Sequence, residues 1–119
     1  MTTRADYHTN TADEFLAKAR AYLADGDLLQ ASERGWGAAA QMVKAVAESR
    51  GWRHSSHGDL FRILNRLAEG QANEELHRLF HSANALHQNF YEGLMPTEAV
   101  AEGLGAVEQF VDKLRPYLT

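Results

Sequence analysis

Apolar residues recur along this chain at helical spacing from one end to the other, and no segment holds the strict alternation that a half-buried strand needs. The first run, Phe15, Ala19, Tyr22 and Leu23, follows Thr11 and Glu14, whose spacing predicts a capping box and hence a helix start at Thr11. Asp25, Gly26 and Asp27 interrupt it. A second helix is predicted from Leu28 to Arg50, with Ala31, Gly35, Ala39, Met42, Val43 and Val46 on one stripe and Gly51 just past its end. Residues 52–57 read as a loop. A short third helix, from about Gly58 to Ala68, has Ser56 as its cap and Asp59 three residues on. Asn73 is the expected cap of a fourth helix, which ends at Glu92 before Gly93. The Pro96-Thr97 pair opens a fifth, lined by Val100, Leu104, Val107, Val111 and Leu114.

These elements predict an all-α fold, an antiparallel bundle of about five helices joined by short connections. Residues 1–10 read as a flexible N-terminal segment and 11–119 as one helical bundle domain, a size sufficient for a core without staples. Small residues cluster at Gly35, Gly37 to Ala40, Gly103 and Gly105, where close helix contact is expected. Each helical glycine costs roughly 1 kcal/mol relative to alanine, so packing must compensate.

The chain has no cysteine, which excludes disulfides and thiolate-bound zinc. The polar opening MTTRADYHTN lacks the apolar core of a secretory signal, and no stretch suffices to span a bilayer. A cytoplasmic protein without membrane attachment is the expectation. A net charge of −4 disfavours nucleic-acid binding over the whole surface. The charge is uneven, however. Residues 44–66 carry five basic side chains (Lys44, Arg50, Arg53, Arg62, Arg66) against two acidic ones, whereas 67–112 carry eight acidic side chains against Arg78 alone. A local basic patch is therefore available for an anionic partner.

Histidine is the residue type with chemical potential. On a wheel of the fourth helix His87 shares the apolar face of Leu79, Phe80, Ala83, Leu86 and Phe90, so it should be largely buried, as a core histidine or as a general acid or base in a cleft. His77 and His81 fall on the polar face. Their spacing could align two imidazoles on a metal, but no third ligand accompanies them, so neither a metal site nor a cofactor is expected. The loop Arg53-His54-Ser55-Ser56-His57 precedes a helix N-terminus, and Arg53, His54 and His57 are the expected binders of a phosphate or other anionic ligand.

Three segments carry a family resemblance. QASERGWGAAA at 30–40 with VKAVA at 43–47, SHGDL at 56–60, and LHQNFYE at 86–92 resemble, in the same order, segments of PaREP-type proteins, which are grouped with the HEPN superfamily of helical bundles. The resemblance spans about residues 12–115. It implies a homodimer and, in many HEPN proteins, an Arg-x4–6-His motif on a late helix that cleaves RNA without metal. His87 stands where the motif histidine is expected, but none of Leu79, Phe80, His81 and Ser82 is arginine, and Arg78 lies too far back. The resemblance thus implies a homodimer that binds RNA, a nucleotide or a protein without strong catalysis, with His87 at its cleft and Asn89 and Tyr91 lining or buttressing it. Two alternatives stay open. One is a toxin-type endoribonuclease with a relocated arginine, Arg78 or Arg50. The other is a structural partner subunit of a nucleotidyltransferase pair.

Overall fold

A computed structural model describes residues 2–118. Five α-helices follow one another: α1 (Arg4–Ala24), α2 (Leu28–Arg50), α3 (His57–Leu67), α4 (Gly70–Glu92) and α5 (Thr97–Leu114), closed by a 3-10 turn at Arg115–Tyr117. No strand occurs among the described residues.

The sequence signals placed most ends correctly, and the two that differ have local causes. Helix α1 begins at Arg4, not Thr11, so residues 4–10, expected to be flexible, are helical. The capping box that operates is Thr3 with Asp6: the Thr3 hydroxyl accepts from the Asp6 amide and the Asp6 carboxylate accepts from the Thr3 amide. The Thr11 hydroxyl instead donates to the Tyr7 carbonyl one turn back. Helix α4 likewise starts before Asn73. The Asn73 amide donates to the carbonyl of Ala68 at 3.0 Å, serving the end of α3 rather than the start of α4. The remaining caps follow the sequence. Asp27 accepts from the Gln30 amide at α2, Ser56 and Asp59 form a reciprocal box at α3, and Gly51 and Gly93 take the left-handed conformation that closes α2 and α4.

Cross-helix contacts fix the topology. Phe15 lies against Gly37, and Arg4 pairs with Glu48, so α1 and α2 run antiparallel. Trp36 meets Phe80 while Glu33 meets His87, which sets α4 antiparallel to α2. Lys113 pairs with Glu75 and Gly103 abuts Leu86, which turns α5 back along α4. Helix α2 is the hub. Its Met42, Val43 and Val46 are fully buried, and so are Phe80, Leu86, Leu104 and Phe110 of the helices around it. Close approach is tightest where α2, α4 and α5 meet. A Cβ on Gly35 would lie 2.5 Å from Leu104, and one on Gly103 would lie 2.7 Å from Leu86. Gly105 faces open space and takes no part.

Candidate functional site

Helix α2 carries Glu33 and Trp36 one turn apart, so both project from the same side toward α4. Helix α4 supplies Asn84, His87 and Tyr91, and His57 at the start of α3 closes the third side. His57 stacks on the Trp36 indole with centroids 4.8 Å apart and planes within 10°. The His87 ring lies 5.0 Å from Trp36 and 6.1 Å from His57. Tyr91 meets the His87 ring edge-on at 5.4 Å.

Each imidazole is oriented by an oxygen. The His87 Nδ1 lies 3.2 Å from a Glu33 carboxylate oxygen. A carboxylate only accepts, so Nδ1 carries the proton and Nε2 is free to accept one when the ring is neutral. The His57 Nε2 donates in the same way to the Asn84 side-chain oxygen at 3.1 Å. The His87 side chain keeps 27% of its exposure, so the expectation that it is largely buried is corrected to a half-buried ring. The apolar neighbours on its helix face are real, but α2 places a carboxylate opposite it, and the ring keeps part of its surface in solvent beside the exposed His57.

The three residues expected to hold a phosphate do not converge. Arg53 is 82% exposed and lies 3.7 Å from Asp59 on the outer side of the loop. His54 turns inward, its Nε2 2.9 Å from Glu48. His57 alone joins Trp36 and His87. The loop is shaped by Asp59, one of whose oxygens accepts from the Ser55 amide, the Ser55 hydroxyl and the Ser56 amide. Burial pushes the Asp59 carboxyl up, but the Ser56 amide, the Ser55 hydroxyl and Arg53 together hold it below its ordinary value. Arg62 caps the other oxygen, and its guanidinium folds back over Gly58 at the α3 N-terminus, near His57.

Asn89 is 3% exposed and acts as a clamp: its amide donates to Ser32 on α2, and its oxygen accepts from the Met95 amide in the α4–α5 turn, where it also borders a cavity with Leu29, Gly93 and Met95. Tyr91 is 74% exposed at the rim. Leu94, three residues on, and Leu29, which lies near Gly93, are exposed apolar side chains in the same region of the chain's fold. His77 and His81 point toward α3, where both lie beside Phe61, and His77 bonds Asn65. The two arginines that a relocated motif would use are engaged elsewhere. Arg78 lies 3.8 Å from Glu75, and Arg50 donates to the Tyr117 carbonyl and lies over Trp52.

Sequence reasoning missed Glu33 and Trp36. Glu33 meets His87 across 54 positions of sequence, and nothing local in either helix announces the pair. The arrangement offers an oriented imidazole with a carboxylate on one side and the stacked rings of His57 and Trp36 on another.

Comparison with known proteins places the fold. Residues 7–111 match the sequence family described as the archaeal PaREP1/PaREP8 family. A crystal structure of a protein from Sulfolobus solfataricus superposes with a TM-score of 0.79 over 92% of this chain and 97% of that one, at 24% identity, and so shares the fold. No curated protein matches the chain. No helix of the described residues is long and apolar enough to cross a membrane.

Proposed function

The chain belongs to the archaeal PaREP1/PaREP8 family, and we propose that it serves as a HEPN-type homodimeric domain that binds single-stranded RNA at the His57–His87 site without cleaving it efficiently. The observation that carries this reading is the exposed His57, whose ring is stacked on Trp36 beside His87. Unpaired bases stack on such flat ledges, and each stack contributes about 1–3 kcal/mol. The stretch of chain from 44 to 66, which contains His57, is locally basic and favours an anionic partner. The exposed apolar side chains Leu29, Tyr91 and Leu94 suit a second copy of the chain, which would set two such sites side by side.

Weak cleavage follows from the charge inventory around His87. Phosphoryl transfer needs fixed positive charge on the transferring group, and the closest partner of His87 is the anionic Glu33. Arg50 and Arg78 are held by other contacts. One observation favours a second reading, an endoribonuclease: a carboxylate on Nδ1 is how a general base is oriented, and it leaves Nε2 available to accept a proton. The test of binding is titration of a labelled single-stranded RNA, read by fluorescence anisotropy, with wild type and His57→Ala. The variant should bind about tenfold more weakly, the loss of one stack. Equal affinity would refute the ledge as the binding surface.

A further inference from the structure

A second cluster lies behind the loop, at the opposite end of α2 from Glu33. Among the described residues, His8, Glu48 and His54 are the group of three metal-ligand side chains whose donor atoms all lie within 4.8 Å of one another. They come from three separate segments: His8 from the first turns of α1, Glu48 from the last turns of α2, and His54 from the loop. All three are half-buried, with Glu48 at 21% and His54 at 18% side-chain exposure, and the two imidazoles meet edge-on at 5.5 Å. We infer that His8, Glu48 and His54 form a divalent transition-metal site, best suited to zinc, that staples the loop to the α1–α2 hairpin.

The donor set is chemically apt. Two imidazoles and one carboxylate suit zinc and leave a fourth, tetrahedral position for water. Ligand atoms around zinc lie about 3.3 Å apart in a tetrahedron with bonds of about 2.0–2.1 Å, so side-chain rotations of roughly an ångström close the present spacing. The ligands are also prepared. The His8 Nδ1 hydrogen-bonds the Gln41 side-chain oxygen, which fixes the proton there and frees Nε2. The His54 Nε2–H now donates to Glu48; on metal binding that proton moves to Nδ1 or to solvent, and the same nitrogen becomes a ligand. Arg4 occupies the place of the cation: its Nε lies 3.1 Å from the Glu48 oxygen that His54 also contacts. Its side chain is 80% exposed and free to swing into solvent.

The experiment is calorimetric titration of the untagged full chain with zinc alone, with far-UV circular dichroism confirming that each variant is folded. Wild type should bind one zinc per chain, and zinc should raise its melting temperature, reversibly with chelator. His8→Ala and His54→Ala should each abolish stoichiometric binding, and Gln41→Ala should weaken it about tenfold. Arg4→Ala should tighten it, because the competing cation is gone. A His77→Ala/His81→Ala double variant should bind as wild type does. Absence of stoichiometric uptake by wild type would overturn the site, as would unchanged uptake by folded His8→Ala and His54→Ala, or weaker uptake by Arg4→Ala.

Discussion

Replacing Gly35 and Gly105 by alanine, one at a time, should move stability in opposite directions, although both lie within helices. Alanine gains about 1 kcal/mol over glycine in a helix interior wherever space permits. At Gly105 no atom lies within 4 Å of the added Cβ, so that gain should appear almost whole. At Gly35 the Cβ would meet Leu104 Cδ2 at 2.5 Å and Leu86 Cδ1 at 3.0 Å. Both leucines are fully buried, and Leu86 cannot retreat toward α5, because Gly103 already sits against it. Overpacking a closed core costs about 1–3 kcal/mol, which offsets the propensity gain and leaves a net loss of up to about 2 kcal/mol. For a chain of this size 1 kcal/mol is about 4 °C, so Gly105→Ala should melt about 4 °C higher and Gly35→Ala up to about 8 °C lower. Leu104→Val removes the offending Cδ2, so the penalty of Gly35→Ala should shrink in the double variant when measured by a thermal double-mutant cycle. If Gly35→Ala proved as stabilising as Gly105→Ala, the close approach of α2, α4 and α5 would be refuted.

Two further outcomes are expected. Wild type is expected to sediment as a dimer at micromolar concentration, and Leu94→Glu should shift it toward the 13.3 kDa monomer while the helical circular-dichroism signal stays unchanged; a wild type that sediments as a monomer would dismiss the proposed dimer. The Asp59 carboxyl is depressed in the folded chain, so its stabilisation is fully present above its unfolded value near 3.8 and is lost as pH falls through the lower folded value. Asp59→Asn should therefore flatten the acid limb of a plot of melting temperature against pH, and an unaltered acid limb would contradict the role given to Asp59.

Helix content and order were readable because the apolar stripes, the Ser56–Asp59 box and the glycines at 51 and 93 act within a few residues of one another. The error at α1 was a choice between two plausible caps, whereas α4 starts after Glu69 with no side-chain cap to announce it. Thr3–Asp6 and Thr11–Glu14 carry similar local signatures, and the contacts of Arg4 with Glu48 and of His8 with Gln41 on α2 go with the earlier one. The site was legible in part. His87 and His57 stood out by residue type, but their partners did not, because Glu33, Trp36 and Asn84 reach them only through the crossing of helices distant in sequence. His8 escaped notice for the same reason. It lies in a segment that composition alone read as flexible, and its neighbours Gln41 and His54 are supplied by the fold. The loop histidines looked like one site because they are adjacent in sequence. The Asp59-centred turn sends them to opposite sides.

The claim that the His57–His87 site holds RNA without cutting it is tested most directly by incubating a labelled single-stranded RNA with purified wild type and with His87→Ala, then resolving bound from free RNA on a native gel and intact from cut RNA on a denaturing gel. The account predicts a shifted complex from which wild type releases full-length RNA, with no difference in RNA integrity between the two proteins. Rapid cutting by wild type that His87→Ala abolishes at unchanged melting temperature would contradict it and establish the Glu33–His87 pair as a nuclease centre.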